Sequence, residues 1–230
     1  MKVCILGASG GLGSKAAAVL EKSGHEVIRC YRKGKLDSEK PSSKSRVAYI
    51  STNSLIELRA SILECLNNKN IECIVNALGI GRSTLSPGKN IPIPTCDLTL
   101  EEWEEVIYVN LKVPILITEL AQKIGIQRVI HIGSALTANG LHGTAMAQAY
   151  SASKKGLFDY CAVKNGTEET NVTVACVAPG VVKTKMSEGR GLNSIFKGEM
   201  ETEGVAQWLE KVLVNECVVN SVQLPTKDRI

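Results

Sequence analysis

Short apolar runs alternate with longer amphipathic stretches along almost the whole chain. The runs are rich in Val, Ile, Leu and Cys, which is typical of strands buried on both faces of a parallel sheet. They cover residues 2–6, 25–31, 47–50, 71–76, 127–133, 171–177 and about 218–224. Helices are predicted from the glycines after the first run to about residue 23, then over about 54–66, 99–122, 148–168 and 201–215. This alternation predicts an α/β fold with a parallel sheet.

Local signals refine the helices and loops. Thr99-Leu100-Glu101-Glu102 is a capping box that predicts a helix start, and Pro114 predicts a kink within that helix. Residues 34–46, rich in Lys and Ser, predict a mobile surface loop. Longer loops are predicted near residues 80–98, 135–149 and 186–200. We expect these three to border a substrate site, because ligands of open α/β sheets bind beyond the carboxyl ends of the strands.

Composition narrows the class of protein. A chain of 230 residues is long enough for one sizeable core, and we expect a single domain over residues 1–230. The net charge of +4 is too small to indicate a nucleic-acid partner, so we expect a small-molecule one. The eight cysteines contain no Cys-x-x-Cys pair, and no metal site is expected. Reduced thiols and the lack of a long apolar stretch predict a cytoplasmic protein that does not span a membrane.

A glycine-rich segment joins the first strand to the first helix. We call it the glycine turn; it reads Gly7-Ala8-Ser9-Gly10-Gly11-Leu12-Gly13. Glycines let the backbone turn tightly and approach a diphosphate, whose charge the amides at the helix N-terminus can meet. The turn therefore predicts a dinucleotide site. A tight turn without a ligand is the alternative.

The end of the second strand bears on the choice of dinucleotide. An acidic residue here would bind the ribose hydroxyls of NAD, but Tyr31 occupies the place. Arg32, Lys33 and Lys35 follow, and Arg32 could bind the extra phosphate of NADP with two hydrogen bonds. The cluster predicts a preference for NADP(H). The alternative is a solvated basic loop.

Four polar residues later in the chain could carry chemistry. Tyr150 and Lys154 are four residues apart, so on a helix they share one face, and the ammonium would lower the pKa of the phenol. Ser134 follows the fifth strand and could bind a substrate carbonyl. Asn110 is unfavourable inside a helix unless it has a polar role. Each residue taken alone also has an interpretation without a catalytic role. Tyr150 could be half buried beside a solvated Lys154, Ser134 could cap a loop, and Asn110 could face solvent.

These features occur in one order over nearly the whole chain. The order runs from Gly7, Gly11 and Gly13 through Asn76-Ala77-Leu78-Gly79, Asn110, Ser134, Tyr150 and Lys154 to the segment from Pro179-Gly180 to Thr184. In this the chain resembles the short-chain dehydrogenase/reductase family. The resemblance implies a Rossmann-type, doubly wound parallel sheet of seven strands in the order 3-2-1-4-5-6-7, within three α/β/α layers. It also implies NAD(P)-dependent oxidoreduction of an alcohol and carbonyl pair.

The resemblance also implies residue roles. Tyr150 would donate a proton to the carbonyl oxygen, which Ser134 would hold. Lys154 would lower the Tyr150 pKa and bind the nicotinamide ribose, while Asn110 would hold a water linking Lys154 to solvent. The implied cofactor-binding residues are Gly7, Ser9, Gly10, Gly11, Leu12, Gly13, Tyr31, Arg32, Asn76, Ala77, Gly79, Tyr150, Lys154, Pro179, Gly180, Val182 and Thr184.

Our leading hypothesis is therefore a cytoplasmic NADP(H)-dependent oxidoreductase acting on a small-molecule carbonyl or secondary alcohol. A homodimer or homotetramer is implied by the resemblance. The chain departs from the family pattern at Ser51, which stands where an adenine-contacting Asp is usual. A non-catalytic NAD(P)-binding sensor or scaffold is the alternative of a different class. A nucleotide-sugar epimerase or dehydratase normally needs a larger C-terminal region.

Overall fold

Seven strands form the sheet in the part of the molecule that the structure describes. The computed structural model describes residues 1–32, 46–51, 54–67, 70–81, 98–135, 148–165, 171–184, 186–187, 200–214 and 222–223. Most of the predicted loops at 34–46, 80–98, 135–149 and 186–200 lies outside these ranges. The strands are β1 (Lys2–Leu6), β2 (Glu26–Arg32), β3 (Arg46–Ile50), β4 (Cys73–Asn76), β5 (Arg128–Ile132), β6 (Thr173–Ala178) and β7 (Val222–Gln223).

All of these strands pair in parallel in the order β3-β2-β1-β4-β5-β6-β7, so the predicted sheet order is confirmed. Six strands of four to seven residues carry the sheet. β7 adds only two residues beside β6. The order reverses between β1 and β4, which opens a crevice at their carboxyl ends where ligands of such folds bind.

Helices cover both faces of the sheet. They are α1 (Gly11–Lys22), α2 (Leu55–Leu66), α3 (Leu100–Ile107), α4 (Val113–Lys123), α5 (Gln148–Asn165) and α6 (Thr202–Leu213). Buried side chains of α2, α4 and α5 share one apolar core with one face of the strands. Those of α1 and α6 share a second core with the other face. This is the predicted α/β/α layering, a Rossmann-like fold.

The side chains of the central strands alternate between the two cores. In β1, Val3 and Ile5 belong to the α1–α6 core, whereas Cys4 and Leu6 belong to the α2–α4–α5 core. Burial on both faces explains why the strand reads as a continuous apolar run. The six cysteines within the described ranges are all buried and unbridged. Of the helices in those ranges, none combines the length and the apolar composition that a membrane crossing requires.

The helix predicted over residues 99–122 is interrupted. It begins with the predicted capping box, in which Thr99 accepts from the Glu102 backbone and the Glu102 carboxylate accepts from the Thr99 N–H. A π-helical segment, Tyr108–Lys112, then separates α3 from α4. The irregularity expected at Pro114 thus lies just before it. Proline itself fits the first turn of α4, where its missing N–H is least needed.

Candidate active site

The glycine turn has a backbone that only glycine accommodates. Gly7 has a φ of +84°, in the left-handed region. Its N–H and that of Ala8 both donate to the Cys30 carbonyl on β2, over 3.1 and 3.2 Å. A Cβ at Gly13 would lie 2.3 Å from the Gly7 carbonyl oxygen. The first turn of α1 therefore packs against the end of β1 more closely than any side chain permits.

The N-terminus of α1 is suited to a diphosphate. Its cap, Gly10, has no side chain with which to satisfy the first amides, and no acidic residue lies in the first turn. Ser9, Gly10 and Gly11 are exposed at the carboxyl end of the sheet. Backbone N–H groups and the helix dipole together attract an anion here. The turn fits a dinucleotide by the space its glycines leave and by its donors.

The two residues expected at the cofactor ribose differ in exposure. Tyr31 is 2% exposed, and its ring centroid lies 6.1 Å from that of Tyr49 on β3. Arg32 ends β2 with an exposed side chain. Arg32 is thus better placed than Tyr31 to reach a phosphate. At the end of β3, Ser51 donates to the carboxylate of Glu57 over 2.6 Å, so an acidic group stands beside the position at which the chain departs from the family.

The turn after β4 lies beside the glycine turn and forms a second wall of the crevice. We call residues 76–79 the β4 turn. The Asn76 side chain is buried and accepts from the Leu78 N–H over 3.2 Å. The Ala77 N–H donates to the Leu6 carbonyl over 2.9 Å. A Cβ at Gly7 would lie 3.0 Å from the Ala77 carbonyl carbon, so the two turns are in direct contact.

The π-helical segment places Asn110 inside the molecule. Asn110 is 0% exposed and makes three hydrogen bonds. Its Oδ1 accepts from the Ile80 N–H over 3.0 Å, and its Nδ2 donates to the Ile80 carbonyl over 2.8 Å and to Ser153 Oγ over 3.2 Å. Asn110 therefore has a polar role rather than facing water. π-Helical segments occur frequently at functional sites.

Helix α5 carries Tyr150 and Lys154 on one face, as the spacing predicts. Lys154 is 3% exposed, and its ammonium donates to the Ile132 carbonyl over 2.6 Å and lies 5.8 Å from the centre of the Tyr150 ring. Burial lowers the pKa of Lys154 to about 8. A Cβ built at Gly79 would lie 3.7 Å from the Lys154 nitrogen and 3.5 Å from Asn110 Oδ1. The β4 turn thus adjoins the lysine and the asparagine.

Ser134 lies between two backbone links to β6. The Gly133 N–H donates to the Val177 carbonyl over 2.7 Å, and the Ala135 N–H donates to the Pro179 carbonyl over 2.8 Å. Ser134 itself is buried. These links hold the end of β5 beside the Pro179-Gly180 segment, at the same edge of the sheet as the β4 turn.

The segment beyond Gly180 returns to the glycine turn. Val182 pairs with Met200 in an isolated parallel bridge. The Thr184 side chain lies 3.3 Å from the position a Cβ of Gly11 would take. Ser187 fixes this stretch by donating to the Val182 carbonyl over 2.7 Å. Thr184 therefore lies against the N-terminus of α1, where a cofactor diphosphate would bind.

Most of the sequence-predicted residues lie near the carboxyl ends of β1, β4, β5 and β6 or on α5, whereas Tyr31 and Arg32 lie at the end of β2. Three buried residues near them were not predicted: Ser153, which contacts Asn110, His131, which contacts Asn76, and Thr118, which contacts His131. Ser153 donates to the Tyr150 carbonyl over 2.7 Å and accepts from Asn110, so it links the π-helical segment to α5. Its position three residues after Tyr150 is a signal that could have found it. His131 and Thr118 carry no such signal, because they lie within apolar runs.

Known proteins resemble the chain in sequence and fold. A family model for short chain dehydrogenase matches residues 1–194. An acetoacetyl-CoA reductase of Acinetobacter sp. is 29% identical over 198 residues, covering 79% of this chain and 74% of the relative. A 3-oxoacyl-[acyl-carrier-protein] reductase of Rickettsia prowazekii is 30% identical over 195 residues, covering 80% and 73%.

Solved structures show the same fold at lower identity. A short chain dehydrogenase from Burkholderia cenocepacia in complex with NADP has a TM-score of 0.78 at 19% identity, covering 97% of this chain and 96% of that one. An actinorhodin polyketide ketoreductase with NADPH has a TM-score of 0.74 at 20% identity, covering 98% and 96%. With the family model spanning most of the sequence, the chain belongs to the short-chain dehydrogenase/reductase family of oxidoreductases.

Proposed function

We propose that this protein is an NADP(H)-dependent reductase that interconverts a carbonyl and a secondary alcohol, with Tyr150 as the proton donor. One observation carries the proposal: α5 presents the Tyr150 ring 5.8 Å from a buried Lys154 ammonium, at the crevice that the glycine turn and the β4 turn border. A phenol beside a fixed cation is a proton donor of the required kind.

The cofactor, when bound, supplies a hydride to the carbonyl carbon. The Tyr150 phenol donates its proton to the carbonyl oxygen, leaving a phenolate that the Lys154 charge stabilises. The Ser134 hydroxyl donates to the same oxygen and holds it in place. In the oxidative direction the phenolate takes the proton back from the alcohol. Asn110 and Ser153 position Tyr150 by tying the first turn of α5 to the π-helical segment.

The remaining residues hold the cofactor. The amides of the glycine turn would bind its diphosphate, and Arg32 would bind the ribose phosphate that distinguishes NADP from NAD. Gly79 and the segment from Pro179 to Thr184 would flank the nicotinamide. Lys154 would bind the nicotinamide ribose by a donor not used on the Ile132 carbonyl, since an ammonium has three.

For the substrate we propose a 3-oxoacyl thioester. The support is the set of relatives, which includes an acetoacetyl-CoA reductase and a 3-oxoacyl-[acyl-carrier-protein] reductase. The test is to mix the purified protein with NADPH and acetoacetyl-CoA, alongside simple ketones, sugars and steroids, and to follow the loss of NADPH. Turnover of the thioester supports the proposal. If only another class of carbonyl is turned over, the proposal of a reductase stands and the proposal of a thioester substrate is wrong.

The same experiment separates the reductase from a sensor or scaffold. Tight NADPH binding without turnover of any carbonyl or alcohol would favour the non-catalytic alternative. We further propose a cytoplasmic homodimer or homotetramer, supported by the resemblance that carries the mechanism. Light scattering at the concentration used in the assay would test the oligomeric state.

A further inference from the structure

A chain of buried polar side chains lies behind the β4 turn. His131 on β5 is 0% exposed and is in register with Asn76 on β4. Its Nδ1 lies 3.1 Å from Asn76 Nδ2, and its Nε2 lies 2.9 Å from Thr118 Oγ1 on α4. Thr118 in turn donates to the Pro114 carbonyl over 3.1 Å. The chain joins two strands to the helix behind them.

The neighbours of this chain determine where each proton lies. The Leu78 N–H can only donate, so the atom of Asn76 that faces it must be the acceptor Oδ1. The amide nitrogen of Asn76 therefore faces His131 and donates to Nδ1. Nδ1 must then lack a proton, so the proton of a neutral imidazole is on Nε2, from which it is donated to Thr118. The hydroxyl hydrogen of Thr118 remains for the Pro114 carbonyl.

The neutral form of His131 suits its surroundings. Burial lowers the pKa of His131 to about 3, and the nearby charge of Lys154 acts in the same direction. An imidazolium would also place a second donor against the amide nitrogen of Asn76. The ring is thus held in one protonation state and one tautomer.

The hydrogen-bonded chain of Thr118, His131 and Asn76 connects to the glycine turn through the β4 turn. Asn76 Oδ1 holds the Leu78 N–H, and the backbone of Ala77 is in contact with Gly7. We infer that His131, as the Nε2–H tautomer supported by Thr118, is a positioning residue that holds the β4 turn against the glycine turn and so sets the affinity for the dinucleotide. The inference rests on the proposed function, because it takes this crevice as the cofactor site.

The test compares cofactor affinity with stability. His131→Leu and Thr118→Val each leave a buried donor unpaired, and we expect the Kd for NADPH to rise about tenfold and about threefold, respectively. Asn165→Ala is the matched control. Asn165 accepts from the Val174 N–H over 2.9 Å near the opposite end of the sheet. Asn165→Ala should lower the melting temperature about as much as His131→Leu and Thr118→Val do, and it should leave the Kd for NADPH unchanged.

Binding by Thr118→Val and His131→Leu that matches the wild type, with a melting temperature lowered as in Asn165→Ala, would overturn the inference alone. Wild-type protein that binds neither NADPH nor NADH would overturn the proposed function as well.

A spectroscopic readout does not depend on the variants folding. Long-range proton–nitrogen NMR of the wild type should show His131 protonated at Nε2, with signals that do not titrate between about pH 5 and 8. A proton on Nδ1, or an imidazolium in that range, would contradict the inference.

Discussion

The two walls of the crevice are built by opposite means. Around the glycine turn, recognition depends on main-chain atoms and on missing side chains, as at Gly13, where an added Cβ would lie 2.3 Å from a carbonyl oxygen. The wall from β4 to α5 instead concentrates buried polar side chains: Asn76, Asn110, Thr118, His131, Ser134, Ser153 and Lys154. The first wall is thus sensitive to added atoms, and the second to removed ones.

This contrast separates binding from chemistry. Backbone amides at a helix N-terminus attract the diphosphate of any dinucleotide, which requires shape more than particular side chains. Proton transfer requires a group of suitable pKa at one position, which only a side chain supplies. The predictions below separate the loss of proton transfer from the loss of cofactor binding.

The largest effect is expected from Tyr150→Phe, which removes the proton donor and retains the ring. We expect kcat to fall by about 10²–10⁴, with the Kd for NADPH unchanged. Steady-state kinetics and a cofactor titration measure the two. Tyr160→Phe is the control on the same helix, because it removes a phenol hydroxyl that donates to Glu119 over 3.0 Å. If Tyr150→Phe turns over as fast as Tyr160→Phe does, Tyr150 is not the acid.

Lys154→Met should reduce activity and raise the stability of the cofactor-free protein. We expect kcat to fall by about a hundredfold, because the phenolate loses its cation. The free energy of unfolding at neutral pH should rise by on the order of 2 kcal/mol, because the buried ammonium opposes folding more than its bond to Ile132 supports it.

The pH dependence gives the sign of the Lys154 effect. The folded protein releases the Lys154 proton near a pKa of about 8, whereas the ordinary value is 10.5. Between these values the unfolded chain binds more protons, so the stability of the wild type rises with pH across that window. Below that pH window, the buried Lys154 ammonium lowers the free energy of unfolding by its full amount. Chemical denaturation at several pH values should show a smaller rise for Lys154→Met, and an equal rise would contradict the assignment.

Gly13→Ala tests the other wall by adding one methyl group. Its Cβ would be 2.3 Å from the Gly7 carbonyl oxygen, so the glycine turn must shift. We expect a loss of about 1–3 kcal/mol in stability and at least about tenfold in NADPH affinity. Gly204→Ala on α6 is the matched control, since nothing lies within 4 Å of its Cβ. It should stabilise the helix slightly, by up to about 1 kcal/mol. If Gly13→Ala and Gly204→Ala have the same stability and the same NADPH affinity, close packing at Gly13 does not explain its role.

The smallest effect is expected from Arg32→Ala, which removes an exposed charge. We expect NADPH to bind about tenfold more weakly and NADH to bind as before, because only NADPH carries the ribose phosphate. Isothermal titration with both cofactors measures this. Arg59→Ala, an exposed arginine on α2, controls for net charge. Equal losses for both cofactors would give Arg32 a general structural role.

Much of this architecture follows from local patterns. Apolar runs predict the buried strands, since a strand covered on both faces needs no polar side. The glycine turn and the shared face of Tyr150 and Lys154 depend on neighbours within a few residues. The π-helical segment was not predicted. Its residues differ little in helix propensity from those on either side, so no local preference marks it.

The contacts that orient the site depend instead on how the chain packs. Asn110 meets Ser153 across 43 residues of sequence, and Asn76 meets His131 across 55. A histidine in an apolar strand has no recognisable task until the neighbouring strand places an amide beside it. Hydrogen bonds are short and directional, so the partners of buried polar groups are determined only when distant segments pack together. Burial and periodicity, in contrast, can be predicted from residues that are adjacent in the sequence.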